Sequence, residues 1–294
     1  MVIGVPEADC EGRQSFREEM RKEIGMHTVL SIAGSDSSGG AGIQADLKTI
    51  TCLGEYGMTA ITAITAQNTK GVEGVEAVSV QMVKDQLDAV FQDIRPEAVK
   101  LGMIATPDIM EAVCEKLIQY QAKNIVADPV MVATSGSSLM ENRTVRTLKE
   151  RLIPLADIIT PNISEAEVLS GISIEEKEDM IKAAEQIAAY YDGAVLVKGG
   201  HLSETADDLL YQKGKVTWFS GNRIDNDNTH GTGCTLSSAI ATFLAKGYSM
   251  EESVKHAKDY VTGAIAAGLN LGQGRGPLWH NYVLNNEENE RKHG

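Results

Sequence analysis

From His27 onward, short apolar segments of strand length alternate with amphipathic segments of helical period. Such alternation is typical of a parallel β-sheet whose connecting helices cover both of its faces. The predicted strands are residues 28–33, 58–66, 98–103, 124–130, 157–160 and 194–198. The predicted helices between them are residues 43–53, 80–91, 108–120 and 180–191. The sequence therefore predicts an α/β fold with a doubly wound, mostly parallel central sheet and helices on both faces.

The C-terminal part continues this pattern with a hairpin and two helices. Residues 207–212 and 215–220 are separated only by Lys213 and Gly214, which predicts an antiparallel hairpin at one sheet edge. Helices are predicted at about residues 232–246 and 251–269. No linker-like segment interrupts the pattern, so a single domain is expected. The predicted limits are residues 26–282, with a loose N-terminal extension at 1–25 and a solvated tail at 283–294.

Charge and composition argue against several classes of protein. The net charge is −14 and the chain has no Lys/Arg-rich run, so a nucleic-acid partner is not expected. No apolar run approaches the roughly 20 residues that span a bilayer, so neither membrane insertion nor export is predicted. The four cysteines lie far apart and lack metal-ligand spacing, which indicates the reducing cytoplasm rather than a zinc or disulfide protein.

Glycine-rich and polar segments follow the predicted strands at the points where the strands end. In an open α/β sheet, ligands bind outside the carboxyl ends of the strands, so these segments should face one crevice. They are residues 34–42, 67–68, 102–103, 128–129, 160–165 and 198–201.

The segment THGTGCT at residues 229–235 directly precedes a predicted helix. Backbone N–H groups at a glycine-rich helix start point at one anion, which predicts a phosphate site at Gly231, Thr232, Gly233 and Cys234. The alternative is an ordinary capped turn. The helix N-terminus would lower the pKa of the Cys234 thiol, which could then take the proton of a substrate hydroxyl. A small buried apolar residue is the competing interpretation of Cys234.

Three further strand-end positions carry side chains suited to nucleotide phosphates and a metal ion. Asn162 and Glu165 share one face of a first helical turn, where they could hold Mg²⁺ through water or simply cap the helix. Lys198 could bind nucleotide phosphates or only be solvated. Asp128, before Pro129, could bind a metal-bound water or cap a turn.

The first glycine-rich loop, residues 34–42, lacks both the Walker pattern and the dinucleotide fingerprint. Its glycines suit the close approach of a small ligand, with Asp36, Asp46 and Gln67 supplying specificity. An amide such as Gln67 donates and accepts at once, which matches the edge of an aminopyrimidine.

At these residues the chain resembles the hydroxymethylpyrimidine/phosphomethylpyrimidine kinases of thiamine biosynthesis, within the ribokinase-like superfamily. The resemblance covers about residues 26–282. Its motifs are AGSDSSGGAGIQAD at 33–46, DPVM at 128–131, TPN at 160–162, VKGGH at 197–201 and THGTGC at 229–234.

The resemblance implies a ribokinase-like fold, a homodimer, and ATP with Mg²⁺ as cosubstrates. It also implies that the hydroxymethylpyrimidine is phosphorylated on its alcohol and then on the resulting monophosphate. The implied site residues are Gln67 on the pyrimidine, Gly34, Asp46 and Met103 around it, Gly231 to Cys234 as anion hole, and Asn162, Glu165 and Lys198 at the nucleotide and metal.

The chain departs from the wider superfamily at two positions. Cys234 stands where many members have an aspartate base, and Asn226 stands where relatives often have threonine. Two other functions compete with the resemblance. A pyridoxine or pyridoxal kinase would often have an apolar residue at Gln67, and a catalytically silent pyrimidine-binding protein would not need the whole phosphate site.

Overall fold

A computed structural model describes residues 25–131, 142–200, 205–221 and 223–284. Within these ranges, nine strands form one sheet in the order β3-β2-β1-β4-β5-β6-β7-β8-β9. The strands are β1 (Thr28–Asp36), β2 (Tyr56–Asn68), β3 (Gly71–Ala77), β4 (Ala98–Leu101), β5 (Ile125–Ala127), β6 (Ile158–Ile159), β7 (Ala194–Val197), β8 (Asp208–Gln212) and β9 (Lys215–Phe219).

The middle six strands, β2 to β7 in sheet order, run parallel, and antiparallel strands form both edges. All six predicted parallel strands and the predicted β8–β9 hairpin are present. Strand β3 was not predicted, because none of its seven residues is buried and its sequence therefore shows no apolar face.

Eight α-helices connect or cover the strands within the described ranges. They are α1 (Gly42–Cys52), α2 (Val80–Asp93), α3 (Pro107–Gln119), α4 (Asn142–Thr147), α5 (Ile163–Ser170), α6 (Lys177–Ala188), α7 (Thr232–Ala245) and α8 (Met250–Ala266). Helix α4 continues through a π-helical turn and a 3₁₀ turn to Leu155. Helix α4 was not predicted, and only the first turn of α5, at Asn162 and Glu165, was; the other six helices were predicted.

Two separate apolar clusters lie on the two faces of the sheet. Leu30 of β1 packs in the cluster that contains Leu87 of α2 and Val113 of α3. Its neighbour Val29 points the other way, into the cluster formed with Ile240 of α7 and Val254 of α8. Strands β4 to β7 are buried on both sides, so their sequences are apolar throughout except for Lys100 in β4. The doubly wound arrangement predicted from the sequence is confirmed.

No helix in the described ranges is long and apolar enough to cross a membrane. The predicted N-terminal extension falls almost entirely outside the described residues, as does most of the predicted tail, and their assignment stays a prediction.

Candidate active site

A cleft of ≈ 940 Å³ opens at the carboxyl ends of the parallel strands. Each of the six strand-end segments predicted to share one crevice contributes at least one residue to its wall. His201 lies outside the described residues. The predicted site residues that line it are Gly34, Gln67, Met103, Asp128, Asn162, Glu165, Lys198, Gly231, Thr232, Gly233 and Cys234.

Helix α7 starts at this cleft with its backbone N–H groups exposed to it. Its N-cap residue Gly231 has φ +85°, and a Cβ there would lie 1.8 Å from the Gly40 carbonyl oxygen, so only glycine fits. Among the described residues, the N–H groups of Gly233 and Cys234 have no hydrogen-bond partner, and no side chain caps the helix. Free N–H groups together with the helix dipole suit the binding of an anion, so this terminus is the candidate anion site.

Lys198 and Asp128 border this helix terminus. Lys198 Nζ lies 3.0 Å from Asp128 Oδ1, which also accepts a hydrogen bond from Thr160 Oγ1 at 3.2 Å. A Cβ on Gly233 would lie 3.2 Å from Asp128 Oδ2 and 3.4 Å from Lys198 Nζ. Burial alone would lower the pKa of Lys198, but the Asp128 and Glu165 carboxylates outweigh it and raise the pKa above its ordinary value. A permanent positive charge therefore stands beside the anion site.

Asn162 and Glu165 form a reciprocal capping box at the start of α5. The Asn162 N–H donates to Glu165 Oε2 at 2.8 Å, and the Glu165 N–H donates to Asn162 Oδ1 at 3.0 Å. Burial raises the pKa of Glu165 to about 7; Lys198 opposes this rise and Asp128 adds to it. Asn162 and Glu165 therefore cap the helix, as one of the two interpretations predicted. Glu165 also lines the cleft, as Asp128 does.

These residues fit Mg²⁺ held mainly through water and phosphate. No group of three or more His, Cys, Asp or Glu side chains within the described ranges could hold a metal ion by itself. Magnesium typically keeps several waters and uses one or two carboxylates together with substrate phosphates. Asp128 and Glu165 are carboxylates at the cleft that would suit such a role, although Glu165 Oε2 and Asn162 Oδ1 each accept a hydrogen bond from the other residue's N–H group. A direct role of Asn162 at the metal stays a prediction.

The opposite end of the cleft is formed by the first glycine-rich loop and the end of β2. A Cβ on Gly34 would lie 2.6 Å from Met103 Cε, so these two residues pack directly together. Gln67 reaches the cleft from β2 beside Thr65 and His230. His230, which sequence reasoning did not single out, is buried and bonded to Asp36 at 2.9 Å.

Asp46 does not line the cleft, although it was predicted as a pocket residue. Its carboxylate is fully buried, 2.9 Å from Lys100 Nζ, and accepts hydrogen bonds from Ser31 Oγ at 2.5 Å and Ser238 Oγ at 2.6 Å. Its position in α1 turns it inward, toward β4. Contact between Asp46 and a ligand stays a prediction, whereas the structure gives it a visible role in joining α1, β1, β4 and α7.

Cys234 differs from expectation in its protonation. Burial raises the pKa of its thiol to about 11; the Lys100 cation opposes this rise, and the carboxylates of Asp46 and Asp128 add to it. The predicted lowering by the helix N-terminus was wrong, because desolvation at a half-buried thiol is the larger effect. The thiol is therefore protonated at neutral pH.

A mostly parallel sheet with this strand order, helices on both faces and a cleft at its carboxyl edge is the arrangement of the ribokinase-like fold. The model of the family described as phosphomethylpyrimidine kinase matches residues 36–279. The chain therefore belongs to the phosphomethylpyrimidine kinase family and is a phosphotransferase.

Individual relatives agree with the family match. A hydroxymethylpyrimidine/phosphomethylpyrimidine kinase of Rhizobium meliloti is 51% identical over 256 residues, covering 86% of this chain and 96% of that protein. The thiamine biosynthesis bifunctional protein ThiED of Geobacter sulfurreducens is 48% identical over 86% of this chain, which spans only 52% of that protein. The crystal structure of a Bacillus subtilis pyridoxal kinase in complex with ADP has a TM-score of 0.82 at 40% identity, covering 88% of this chain and 99% of that one.

Proposed function

We propose that this chain transfers the γ-phosphoryl group of ATP to the hydroxyl of 4-amino-5-hydroxymethyl-2-methylpyrimidine, and a second phosphoryl group to the resulting monophosphate. These are the two phosphorylations that lead toward thiamine diphosphate. The observation that carries the proposal is that Gly233, Cys234, Gln67 and Lys198 line one cleft, with Lys198 Nζ 3.4 Å from a Cβ built on Gly233.

The chain's own groups can perform most of the chemistry. Phosphoryl transfer has a loose transition state, so positioning and charge stabilisation contribute more than a base. The Gly233 and Cys234 N–H groups are preorganised donors for the moving phosphoryl oxygens, and Lys198 adds a fixed positive charge. Mg²⁺, held through Asp128 and Glu165, would neutralise further phosphate charge. Because the Cys234 thiol is protonated, this residue contributes to catalysis mainly through its backbone N–H group rather than through its sulfur.

A pyridoxal kinase is the second candidate, because the similar Bacillus subtilis structure is of an enzyme with that name. The amide of Gln67 in the cleft favours an aminopyrimidine instead, since it offers a donor and an acceptor side by side. A coupled MgATP assay with the hydroxymethylpyrimidine, its monophosphate and pyridoxine in parallel tests the proposal. Turnover of pyridoxine alone would reject it.

Gln67→Met is expected to lower kcat/KM for the hydroxymethylpyrimidine, because a buried ring edge loses its hydrogen-bond partner. The loss should correspond to about 1–3 kcal/mol of transition-state stabilisation. Pyridoxine, which lacks that edge, should lose less. The same coupled assay measures both, and equal losses on the two acceptors would remove Gln67 from any role in specificity.

We further propose a cytoplasmic homodimer. The described cysteines Cys52, Cys114 and Cys234 are all free thiols, which suits a reducing compartment. Strand β3 ends the sheet without a neighbour among the described strands, and Ile64 on the adjoining β2 is 57% exposed. An open strand edge with an exposed apolar side chain is suited to pairing with a second copy. Light scattering of the purified chain tests the dimer.

A further inference from the structure

Asp36 fixes the hydrogen-bonding state of His230. The Asp36 carboxylate accepts hydrogen bonds from the N–H groups of Ser38, Gly40 and Ala41 at 2.8–3.0 Å and from Ser38 Oγ at 2.8 Å. Burial alone would raise the pKa of Asp36, but these bonds and the one from His230 hold it below its ordinary value. An ionised carboxylate only accepts, so His230 Nε2, at 2.9 Å, carries a hydrogen and donates it. This holds for the neutral and for the charged ring.

The Gln67 amide lies between His230 and Thr65. The structure has Gln67 Nε2 3.4 Å from His230 Nε2, and Gln67 Oε1 3.1 Å from Thr65 Oγ1. With Nε2 at the His230 end, a donor faces a donor. At the other end, Thr65 Oγ1 has one hydrogen, and the Ser35 carbonyl oxygen, which can only accept, lies closer at 2.9 Å. Thr65 is therefore left with a lone pair that needs a donor.

Both mismatches disappear when the amide is turned by 180°. Nε2 then donates to Thr65 Oγ1, and Oε1, 3.4 Å from His230 Nε2, shares with Asp36 Oδ2 the one hydrogen that His230 donates there at 2.9 Å. Amide oxygen and nitrogen are nearly equal in size, so their partners decide which is which. We propose that Asp36, His230 and Thr65 lock Gln67 with its carbonyl toward His230 and its NH₂ group toward Thr65.

This polarity has a consequence for catalysis, which rests on the proposed function. The ring nitrogen N3 of the substrate accepts a hydrogen bond and its 4-amino group donates one. Paired with the locked amide, the 4-amino group lies on the His230 side and N3 on the Thr65 side. The hydroxymethyl group is attached next to the amino-bearing carbon, so it points past His230 toward Gly231 and the anion site. The opposite polarity would turn it away. His230 and Thr65 thus act as positioning residues.

The polarity can be read directly from ¹⁵N-labelled protein without any ligand. The side-chain NH₂ signal of Gln67, assigned by its loss in Gln67→Met, should show nuclear Overhauser effects to the Thr65 methyl protons. Effects to the His230 ring protons instead would overturn the polarity, and they would do so whether or not the proposed substrate is correct.

Thr65→Val removes the acceptor at one end of the lock while keeping the shape of the side chain, and Thr65→Ser is the matched control that retains it. We expect Thr65→Val to bind the hydroxymethylpyrimidine about fivefold more weakly in calorimetry, with Thr65→Ser close to wild type. An analogue lacking both N3 and the 4-amino group should bind wild type and Thr65→Val equally. Equal losses on both ligands, or no loss, would overturn the positioning role. Wild type that neither binds nor phosphorylates the hydroxymethylpyrimidine would reject the proposed function as well.

Discussion

Lys100→Met is expected to destabilise the protein by about 3–5 kcal/mol, because it leaves the Asp46 carboxylate buried without its cation. Neither side chain of this pair is exposed, and Lys100 Nζ contacts both carboxylate oxygens of Asp46, at 2.9 and 3.0 Å. Burial alone would lower the pKa of Lys100, but Asp46, together with Cys234 and Asp128, outweighs this effect and holds the pKa above its ordinary value. For a chain of this size the loss corresponds to a fall in Tm on the order of 10 °C, measured by thermal unfolding.

A second variant separates an unpaired charge from a general packing defect. The double variant Lys100→Met with Asp46→Asn removes both charges but keeps polar atoms for Ser31 and Ser238. Replacing a buried ion pair as a whole costs much less than breaking it, so the double variant should recover most of the lost stability. A double variant as unstable as Lys100→Met would show that the fit of the lysine side chain, not the charge, stabilises this region.

The sheet was predictable because burial leaves a direct mark on sequence. Strands covered on both faces become apolar runs, and amphipathic helices between them show a 3.6-residue period. Strand β3 is exposed throughout and left no such mark. Helix α5 has only eight residues and begins within a segment that had been interpreted for its polar side chains. Its capping box was visible in Asn162 and Glu165, but that spacing fits a cap and a metal site equally.

The site was predictable in position more than in detail. Parallel strands bring their carboxyl ends to one edge, so the motifs that follow them meet whatever their order in the chain. The inward position of Asp46 depends on Lys100, which is 54 residues away and is reached only across the folded sheet. One signal was available: Lys100 stands inside the apolar segment Ala98–Leu101, and a lysine in a buried strand needs a carboxylate partner. The pKa of Cys234 depends likewise on burial, which spacing alone does not reveal.

Gly233→Asp is expected to lower kcat by at least about 10³-fold, because it places a carboxylate where the phosphoryl oxygens must lie. The added Cβ would meet Asp128 Oδ2 at 3.2 Å and Lys198 Nζ at 3.4 Å, which small side-chain shifts can accommodate, so the protein should still fold. The new carboxylate would also compete with phosphate for Lys198. Steady-state kinetics with MgATP and the hydroxymethylpyrimidine measure the loss, and thermal unfolding confirms the fold.

Two control variants separate the contributions at this helix terminus. Gly233→Ala adds the same Cβ without the charge and should lose much less activity than Gly233→Asp. Cys234→Ala keeps every backbone N–H group and removes only the thiol, whose pKa of about 11 makes it a weak base at neutral pH. Its loss should therefore not exceed about 10²-fold. A larger loss in Cys234→Ala than in Gly233→Asp would make the sulfur, not the backbone, the principal group. Normal turnover by folded Gly233→Asp would show that the phosphoryl group lies elsewhere, and the anion site at α7 would have to be abandoned.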